Sequence, residues 1–254
     1  MLQQTQAARV APAFERFMAR FPTIAALATA SRADVVRAWA GLGYNRRAVA
    51  LSEAARAIVR EHGSVIPADP VVLERLPGVG PYTAGAVASL AFGAPVVAMD
   101  TNVRRVVARS ELGVNPTEAD RREIAAAARR ALDRRDPGGW NQALMDVGRE
   151  HCRPAPRCDS CPLARRCRFR TRAASSPVRA RRPPFEGSSR QVRGAVVAVL
   201  RERSSVSLGD VIDATGFQPE AVVRAVEALA ADGLVRAGPG ALAGSPRGRV
   251  SLVD

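Results

Sequence analysis

Residues 76–85 read LPGVGPYTAG, a Pro-Gly-Val-Gly turn between two stretches of helical pattern. A loop that cradles the phosphates of ATP ends in Gly-Lys followed by Ser or Thr, and that ending is absent here. A dinucleotide-binding loop follows a buried apolar strand, whereas the preceding PADPVVLER is short and carries two prolines. The turn is typical of a helix-hairpin-helix, in which the amides of Gly78, Val79 and Gly80 grip one phosphate of DNA. Glycine also occurs in such turns only because it adopts backbone conformations that other residues avoid, and that alternative stays open.

The composition indicates a globular chain with a polyanionic partner. The 254 residues are 47% hydrophobic, and the net charge is +14. Every basic residue is an arginine, whose guanidinium matches phosphate oxygens, so we expect nucleic acid as the partner. Genomic base composition explains the choice of arginine over lysine but not the excess over acids. The sequence has no signal peptide and no apolar run of about eighteen residues, which predicts a cytoplasmic, nucleoid-associated protein without a membrane partner.

Four segments are predicted along the chain. In residues 1–150 the apolar residues recur at helical spacing and alternating patterns are scarce, so we expect an all-α body. Residues 151–170 carry the cysteines, and residues 171–187 form an arginine-rich linker that meets DNA or is solvated. Residues 188–254 contain three helical patterns and a hairpin pattern, typical of a winged helix-turn-helix. Such a unit inserts helices into a major groove or serves as a protein-contact module of the same shape.

Asp100 stands at the start of a predicted helix, between the apolar run VVAM and the helical pattern TNVRRV. The simplest interpretation is an N-cap, which stabilises a helix by about 1 kcal/mol. A carboxylate held beside a sugar can also stabilise or attack an oxocarbenium ion, as in glycoside hydrolysis. A helix-hairpin-helix followed by an aspartate at this distance is more specific than either part alone.

Four cysteines lie close together in the segment CRPAPRCDSCPLARRC. In a reducing compartment such clustering predicts a metal site in preference to disulfides. Four thiolates suit a 4Fe-4S cluster or a tetrahedral zinc ion, and the spacing alone does not choose between them. The predicted ligands are Cys152, Cys158, Cys161 and Cys167.

Taken in order, MLQQTQ, GLGYNRRA, LPGVGPYTAGAVASLAFG, MDTNVRRVVAR, NQALMDVG and the cysteine cluster resemble the helix-hairpin-helix DNA glycosylases of the endonuclease III superfamily. The resemblance is closest to the MutY-type adenine DNA glycosylases and covers residues 1 to about 167. It implies a monomer that excises adenine mispaired with 8-oxoguanine or guanine in double-stranded DNA. Such an enzyme flips the base out of the duplex to reach its glycosidic bond.

The resemblance assigns the chemistry to three residues. Asp100 matches the catalytic aspartate of the family, and Asn102 matches its neighbour in the active site. Tyr82 falls where bifunctional relatives carry the lysine that forms an imine with the sugar. Because the chain has no lysine, a water nucleophile and a monofunctional reaction are expected.

Four further residues match positions that contact DNA in the family. Gln3, Gln4 and Thr5 match a wedge beside the flipped base, and Tyr44 matches a tyrosine that intercalates next to the oxidised guanine. From the residues alone, the glutamines are surface residues and the tyrosine is a core aromatic. The resemblance also favours the 4Fe-4S cluster over zinc, although the first gap between cysteines is five residues instead of the usual six.

The chain departs from the family at both ends. In MutY relatives the general acid that protonates adenine is a glutamate two residues before the Met at which this sequence begins. General acid catalysis contributes about 10²- to 10⁴-fold, so either the protein begins upstream or the chain binds DNA with little catalysis. Met1 falls within an amphipathic helical pattern without a cap, which favours an upstream start. Residues 188–254 are too few and too helical for a Nudix-like domain, and we expect them to add nonspecific DNA affinity. A relative that excises a different base remains the alternative.

Overall fold

The computed structural model describes residues 1–3, 5–170 and 185–254. Within these residues the protein is predominantly helical, as predicted. The predicted wedge residue Gln4 and residues 171–184 of the predicted linker lie outside the described part of the chain.

The contacts divide the chain into two units. The first unit combines residues 1–65 with the described carboxy-terminal residues, and the second consists of the described residues 66–170. The sequence did not indicate this grouping of the two ends of the chain.

Four helices build the amino-terminal part of the first unit, and two of them begin at hydroxyl caps. Thr23 and Ser31 each accept a hydrogen bond from the N–H three residues on, at 3.1 and 3.0 Å. The helical pattern that was predicted to include Met1 begins only at Ala7. The helices are α1 (Ala7–Arg20), α2 (Ile24–Thr29), α3 (Arg32–Ala38) and α4 (Arg46–His62).

The second unit is helical in its described residues and contains the predicted hairpin between its first two helices. Small apolar side chains of α7 and α8 form its core, with Val103, Val107 and Ile124 buried. A π-helical turn, Ala108–Leu112, extends α7 and ends at Gly113. The helices are α5 (Pro70–Glu74), α6 (Pro81–Phe92), α7 (Thr101–Val107), α8 (Arg121–Ala131) and α9 (Pro137–Glu150).

The carboxy-terminal part of the first unit contains the three predicted helices and the predicted hairpin of β2 and β3. A strand of two residues, β1, completes an antiparallel sheet of order β1-β3-β2, and it is too short for alternation to reveal it in the sequence. The elements are α10 (Ser189–Glu202), β1 (Val206–Ser207), α11 (Leu208–Thr215), α12 (Pro219–Ala231), β2 (Val235–Ala237), α13 (Pro239–Leu242) and β3 (Arg249–Leu252).

One hydrophobic core serves both parts of the first unit. Trp39 is buried and meets the Phe17 ring edge to face, with the two ring centroids 6.0 Å apart. Buried residues of α10 and α12, among them Val196, Leu200 and Val226, belong to the same cluster. The two parts of the first unit therefore stabilise each other by burying a common apolar surface. Across the described residues, every helix falls short of the length and apolar character that crossing a membrane requires.

Candidate active site

The hairpin of the second unit lies between the end of α5 and the start of α6. Gly78 has φ of +72°, a left-handed conformation that favours glycine, whereas Gly80 is extended at −98°. A β-carbon placed on Gly80 meets none of the atoms of the described residues within 4 Å. Backbone conformation therefore explains why residue 78 is glycine. Neither conformation nor packing within the described chain explains why residue 80 is glycine.

The amide groups of this hairpin are available to an external acceptor. The Val79 N–H donates to the Leu76 carbonyl at 3.1 Å. Within the described residues, the N–H groups of Gly78 and Gly80 have no such acceptor. Exposed amides at the start of a helix attract anions, so the arrangement suits a phosphate oxygen.

Asp100 is the N-cap of α7, which confirms the structural part of the sequence prediction. One carboxylate oxygen accepts the Val103 N–H at 2.6 Å, and the other accepts the Asn102 side-chain amide at 2.9 Å. The carboxylate is half-buried. These two bonds fix its orientation and leave lone pairs on both oxygens for a reacting group.

Arg105 extends this arrangement toward the cysteine segment, and sequence reasoning missed it. Its Nη2 donates to the Asn102 Oδ1 and to the Gly148 carbonyl, both at 2.8 Å, and its Nε donates to the Cys152 carbonyl. A β-carbon on Gly148 would lie 2.5 Å from the Asn102 β-carbon, so α9 packs against α7 only because this residue is glycine. The helical spacing of three between Asn102 and Arg105 is the one available sequence signal.

Tyr82 lies near Asp100 in the second unit. Burial raises the pKa of the Tyr82 phenol, and the negative charge of Asp100 raises that pKa further. The hydroxyl donates to the Met145 sulfur at 3.7 Å. The phenol is therefore a neutral group beside the carboxylate.

The four cysteines line one cavity in the second unit. Across the described residues, no three of the His, Cys, Asp and Glu side chains meet closely enough to hold a metal ion. Burial raises the pKa of the Cys152 thiol, while a hydrogen bond from Arg109 acts in the opposite direction. The four thiols that the sequence predicts as metal ligands therefore share the lining of one cavity.

Arg109 is a buried cation beside this cavity, and nothing in the sequence distinguished it from the other arginines. It is 2% exposed, and its guanidinium lies 4.8 Å from the Phe169 ring centroid. It donates to the Asn115 side chain at 2.9 Å, to the Cys152 sulfur at 3.7 Å and to the backbone carbonyls of Arg153 and Pro154 at 2.6 and 3.1 Å. Among the described residues no carboxylate forms an ion pair with it, so its charge suits an anionic group held by the thiols.

Tyr44 lies in the first unit, on a loop held in an unfavourable conformation. Its φ is +49°, and Gly41 and Gly43 before it are also left-handed, at +83° and +66°. The ring is 50% exposed, so the interpretation as a core aromatic is wrong. A non-glycine residue in this region costs about 1–3 kcal/mol, which the surrounding contacts must offset.

Arg47 supplies most of those contacts and also reaches the predicted wedge. Its guanidinium donates to the carbonyls of Leu42 and Gly43, at 3.2 and 3.3 Å, and lies 5.5 Å from the Tyr44 ring centroid. It further donates to the Thr5 hydroxyl at 2.9 Å and to the Gln3 carbonyl. The structure thus joins Gln3, Thr5 and Tyr44 through one arginine that no sequence pattern distinguishes from the others.

Comparison with known proteins places this geometry in a family context. The profile of the HhH-GPD superfamily base excision DNA repair proteins matches residues 1–132. A protein of Mycolicibacterium smegmatis named adenine DNA glycosylase is 40% identical over 238 residues, which cover 92% of this chain and 81% of that protein. A protein of the same name from Mycobacterium tuberculosis is 42% identical over 246 residues, which cover 92% of this chain and 79% of that protein. One from Homo sapiens is 42% identical over 68% of this chain and 32% of its own length.

Solved structures show the same fold. A thermostable thymine-DNA glycosylase superposes with a TM-score of 0.60 at 26% identity, covering 67% of this chain and 80% of its own. An endonuclease III in a non-covalent complex with DNA superposes with a TM-score of 0.59 at 25% identity, covering 68% and 81%.

Proposed function

The chain belongs to the HhH-GPD superfamily of base excision DNA repair proteins, and we propose that it excises adenine mispaired with 8-oxoguanine or guanine from double-stranded DNA. The activity is that of an adenine DNA glycosylase, which hydrolyses an N-glycosyl bond. Relatives at 40% and 42% identity that align with 92% of the chain carry that name. We further propose that the enzyme is a monomer that acts on the nucleoid in the cytoplasm. It recognises the base opposite adenine and follows a monofunctional course.

The fixed carboxylate of Asp100 is the observation that carries the proposed chemistry. As the bond between adenine and the sugar breaks, its electron pair leaves with the base, which takes up a proton, and positive charge develops on the sugar. Asp100, oriented by Val103 and Asn102, stabilises that charge. Water then adds to the sugar carbon and loses a proton, which leaves an abasic site.

Tyr82 supports a monofunctional course. A neutral phenol beside Asp100 shapes the site but supplies no amine for an imine, and the chain has no lysine. We infer that the product is an abasic site in an unbroken strand.

Contacts to the DNA are assigned to both units. In the second unit, the amides of Gly78 and Gly80 bind a backbone phosphate, with Val79 between them. In the first unit, Gln3, Gln4 and Thr5 act beside the extruded base, and the exposed ring of Tyr44 stacks next to the opposing oxidised guanine.

The cysteine cavity fits a 4Fe-4S cluster. Cys152, Cys158, Cys161 and Cys167 would be its ligands, and Arg109 offsets the charge of their thiolates. When bound, the cluster would cross-link the segment by four metal–thiolate bonds. Arg105 links this segment to the active site, because it donates hydrogen bonds to both the Cys152 carbonyl and the Asn102 side chain.

A single-turnover assay on duplexes tests the proposal. The duplexes carry adenine opposite 8-oxoguanine, guanine or thymine, and each reaction is analysed with and without hot alkali. We expect strand breaks only after alkali, and only with the two mispairs. Breaks without alkali would contradict the monofunctional course, and equal breakage with all three opposing bases would contradict the mispair specificity.

A further inference from the structure

The carboxy-terminal segment has the shape of a DNA-reading unit but not the charge of one. Residues 185–254 contain eight arginines and eight acidic residues, although the whole chain carries +14. The helices α11 and α12, which correspond to the groove-reading pair of a winged helix-turn-helix, expose four carboxylates and one guanidinium. Carboxylates repel the phosphates that supply most nonspecific affinity. These five residues are Asp210, Asp213, Glu220, Glu227 and Arg224.

This segment instead makes specific polar contacts with the amino-terminal part of its own unit. Arg201, near the end of α10, donates its Nη2 to the Asn45 side-chain oxygen at 2.9 Å and its Nε to the Val36 carbonyl at 3.1 Å. Asp232, just after α12, lies 3.7 Å from the Arg46 guanidinium. Both contacts reach the start of α4.

The start of α4 directly follows Tyr44. The Asn45 carbonyl accepts the Ala48 N–H at 2.9 Å, and the Tyr44 carbonyl accepts the Arg47 N–H at 2.9 Å. Because Asn45 adjoins a residue held at positive φ, a shift of Asn45 changes the direction in which the Tyr44 ring points. The common hydrophobic core, with Val36 and Leu200 buried in it, keeps the two segments in a fixed position.

We propose that the carboxy-terminal segment is an internal brace for the loop 41–47. Arg201 is then the positioning residue that determines the orientation of the Tyr44 ring. The unit thus contributes to recognition of the opposing base without reading DNA itself. The inference rests on the proposed function only for the role of the ring, since the brace itself is a property of the free protein.

Fluorine NMR of the protein labelled with 3-fluorotyrosine tests the brace directly. The chain has two tyrosines, Tyr44 and Tyr82, so Tyr82→Phe assigns both resonances. We expect Arg201→Met, which keeps the apolar stem and removes both donors, to shift or broaden the Tyr44 resonance and leave the Tyr82 resonance in place. Arg190→Met is the matched control, because Arg190 is exposed on the same helix. An unmoved Tyr44 resonance in Arg201→Met would overturn the proposal.

Variants at Asn45 guard against a general loss of folding in Arg201→Met. Asn45→Ala removes only the acceptor and is expected to reproduce the change at Tyr44, whereas Asn45→Asp keeps an acceptor for Arg201 and is expected to retain the wild-type resonance. A wild-type spectrum for Asn45→Ala would contradict the brace.

Kinetics then connect the brace to recognition. We expect Asn45→Ala to lower the preference for adenine opposite 8-oxoguanine over adenine opposite guanine by about tenfold, with the rate on the guanine mispair retained. An unchanged preference together with a shifted resonance would overturn the role in recognition. Absence of adenine excision by the wild-type chain would refute the proposed function and leave the NMR result to decide the brace on its own.

Discussion

The Asp100 site of the second unit and the Tyr44 loop of the first unit are built in opposite ways. Asp100 occupies a favourable position at a helix start, and its partners Val103 and Asn102 lie within three residues. Tyr44 occupies an unfavourable conformation, and Arg47 joins its loop to residues more than forty positions away. Hydrogen bonds between residues close in the chain are enough to form the Asp100 site. The Tyr44 loop takes its shape only when the first unit is folded.

The two kinds of site tolerate different changes. A site built from local hydrogen bonds keeps its shape when the reacting group is altered, so chemistry and stability separate. A site held by distant contacts against its own backbone preference loses shape and stability together. Substitutions at Asp100, Arg109, Arg47 and the hairpin glycines separate the two effects.

Asp100→Asn is expected to slow adenine excision by about 10³- to 10⁴-fold, because the carboxylate charge that stabilises the sugar cation is lost. Asparagine caps a helix about as well as aspartate, so the free energy of unfolding is expected to change by about 1 kcal/mol at most. Single-turnover rates and denaturant unfolding measure the two effects. A rate of adenine excision close to that of the wild type would show that Asp100 serves only as a cap.

Arg109→Met is expected to destabilise the second unit by about 3 kcal/mol, because the Asn115 side chain and two backbone carbonyls lose their buried donor. Iron content and visible absorption of the purified protein should fall with it. Arg165→Met, at an exposed position of the same segment, is the control. Equal iron content in the two variants would argue against a role of Arg109 at the cysteine cavity.

Arg47→Met is expected to destabilise the first unit by about 2 kcal/mol and to release both the loop and the wedge. Arg47→Lys keeps the charge but not the planar fork that serves several acceptors at once, so it should recover only a part of this loss. Thermal unfolding and limited proteolysis near residue 44 measure these effects. Full recovery in the lysine variant would mean that charge, and not the fork, holds the loop.

Gly78→Ala and Gly80→Ala distinguish the two uses of glycine in the hairpin, which are a left-handed backbone conformation and close contact with DNA. Alanine at position 78 must adopt positive φ and is expected to cost about 1 kcal/mol of stability. Alanine at position 80 is extended, and its β-carbon meets no atom of the described residues within 4 Å, so stability should hold while affinity for duplex DNA falls. Titration of both variants with a duplex and denaturant unfolding distinguish the two. Unchanged affinity in Gly80→Ala would remove the phosphate contact from the proposal.

The sequence alone predicted what local rules determine. The helical pattern, the hairpin and the cap at Asp100 are confirmed, and the carboxy-terminal segment has its three expected helices and its strand pair, because each depends on the spacing of residues close in the chain. Arg47, Arg105 and Arg109 escaped prediction, since one arginine among many shows no sign of being buried or shared by several carbonyls. The grouping of residues 1–65 with the carboxy-terminal segment also escaped, because contacts between distant segments leave no periodicity.

The shared core of the first unit has a consequence for the order of events on the ribosome. The second unit is continuous in the chain, so it can complete its folding as soon as its last helices emerge. The first helices, by contrast, wait for α10 and α12, which follow more than a hundred residues later. At roughly 5–20 residues per second this delay is on the order of ten seconds, during which the cluster that holds Val35, Val36 and Trp39 lacks the apolar side chains of α10 and α12. The nascent amino-terminal segment is therefore expected to expose apolar surface of the kind that chaperones bind until synthesis is nearly complete.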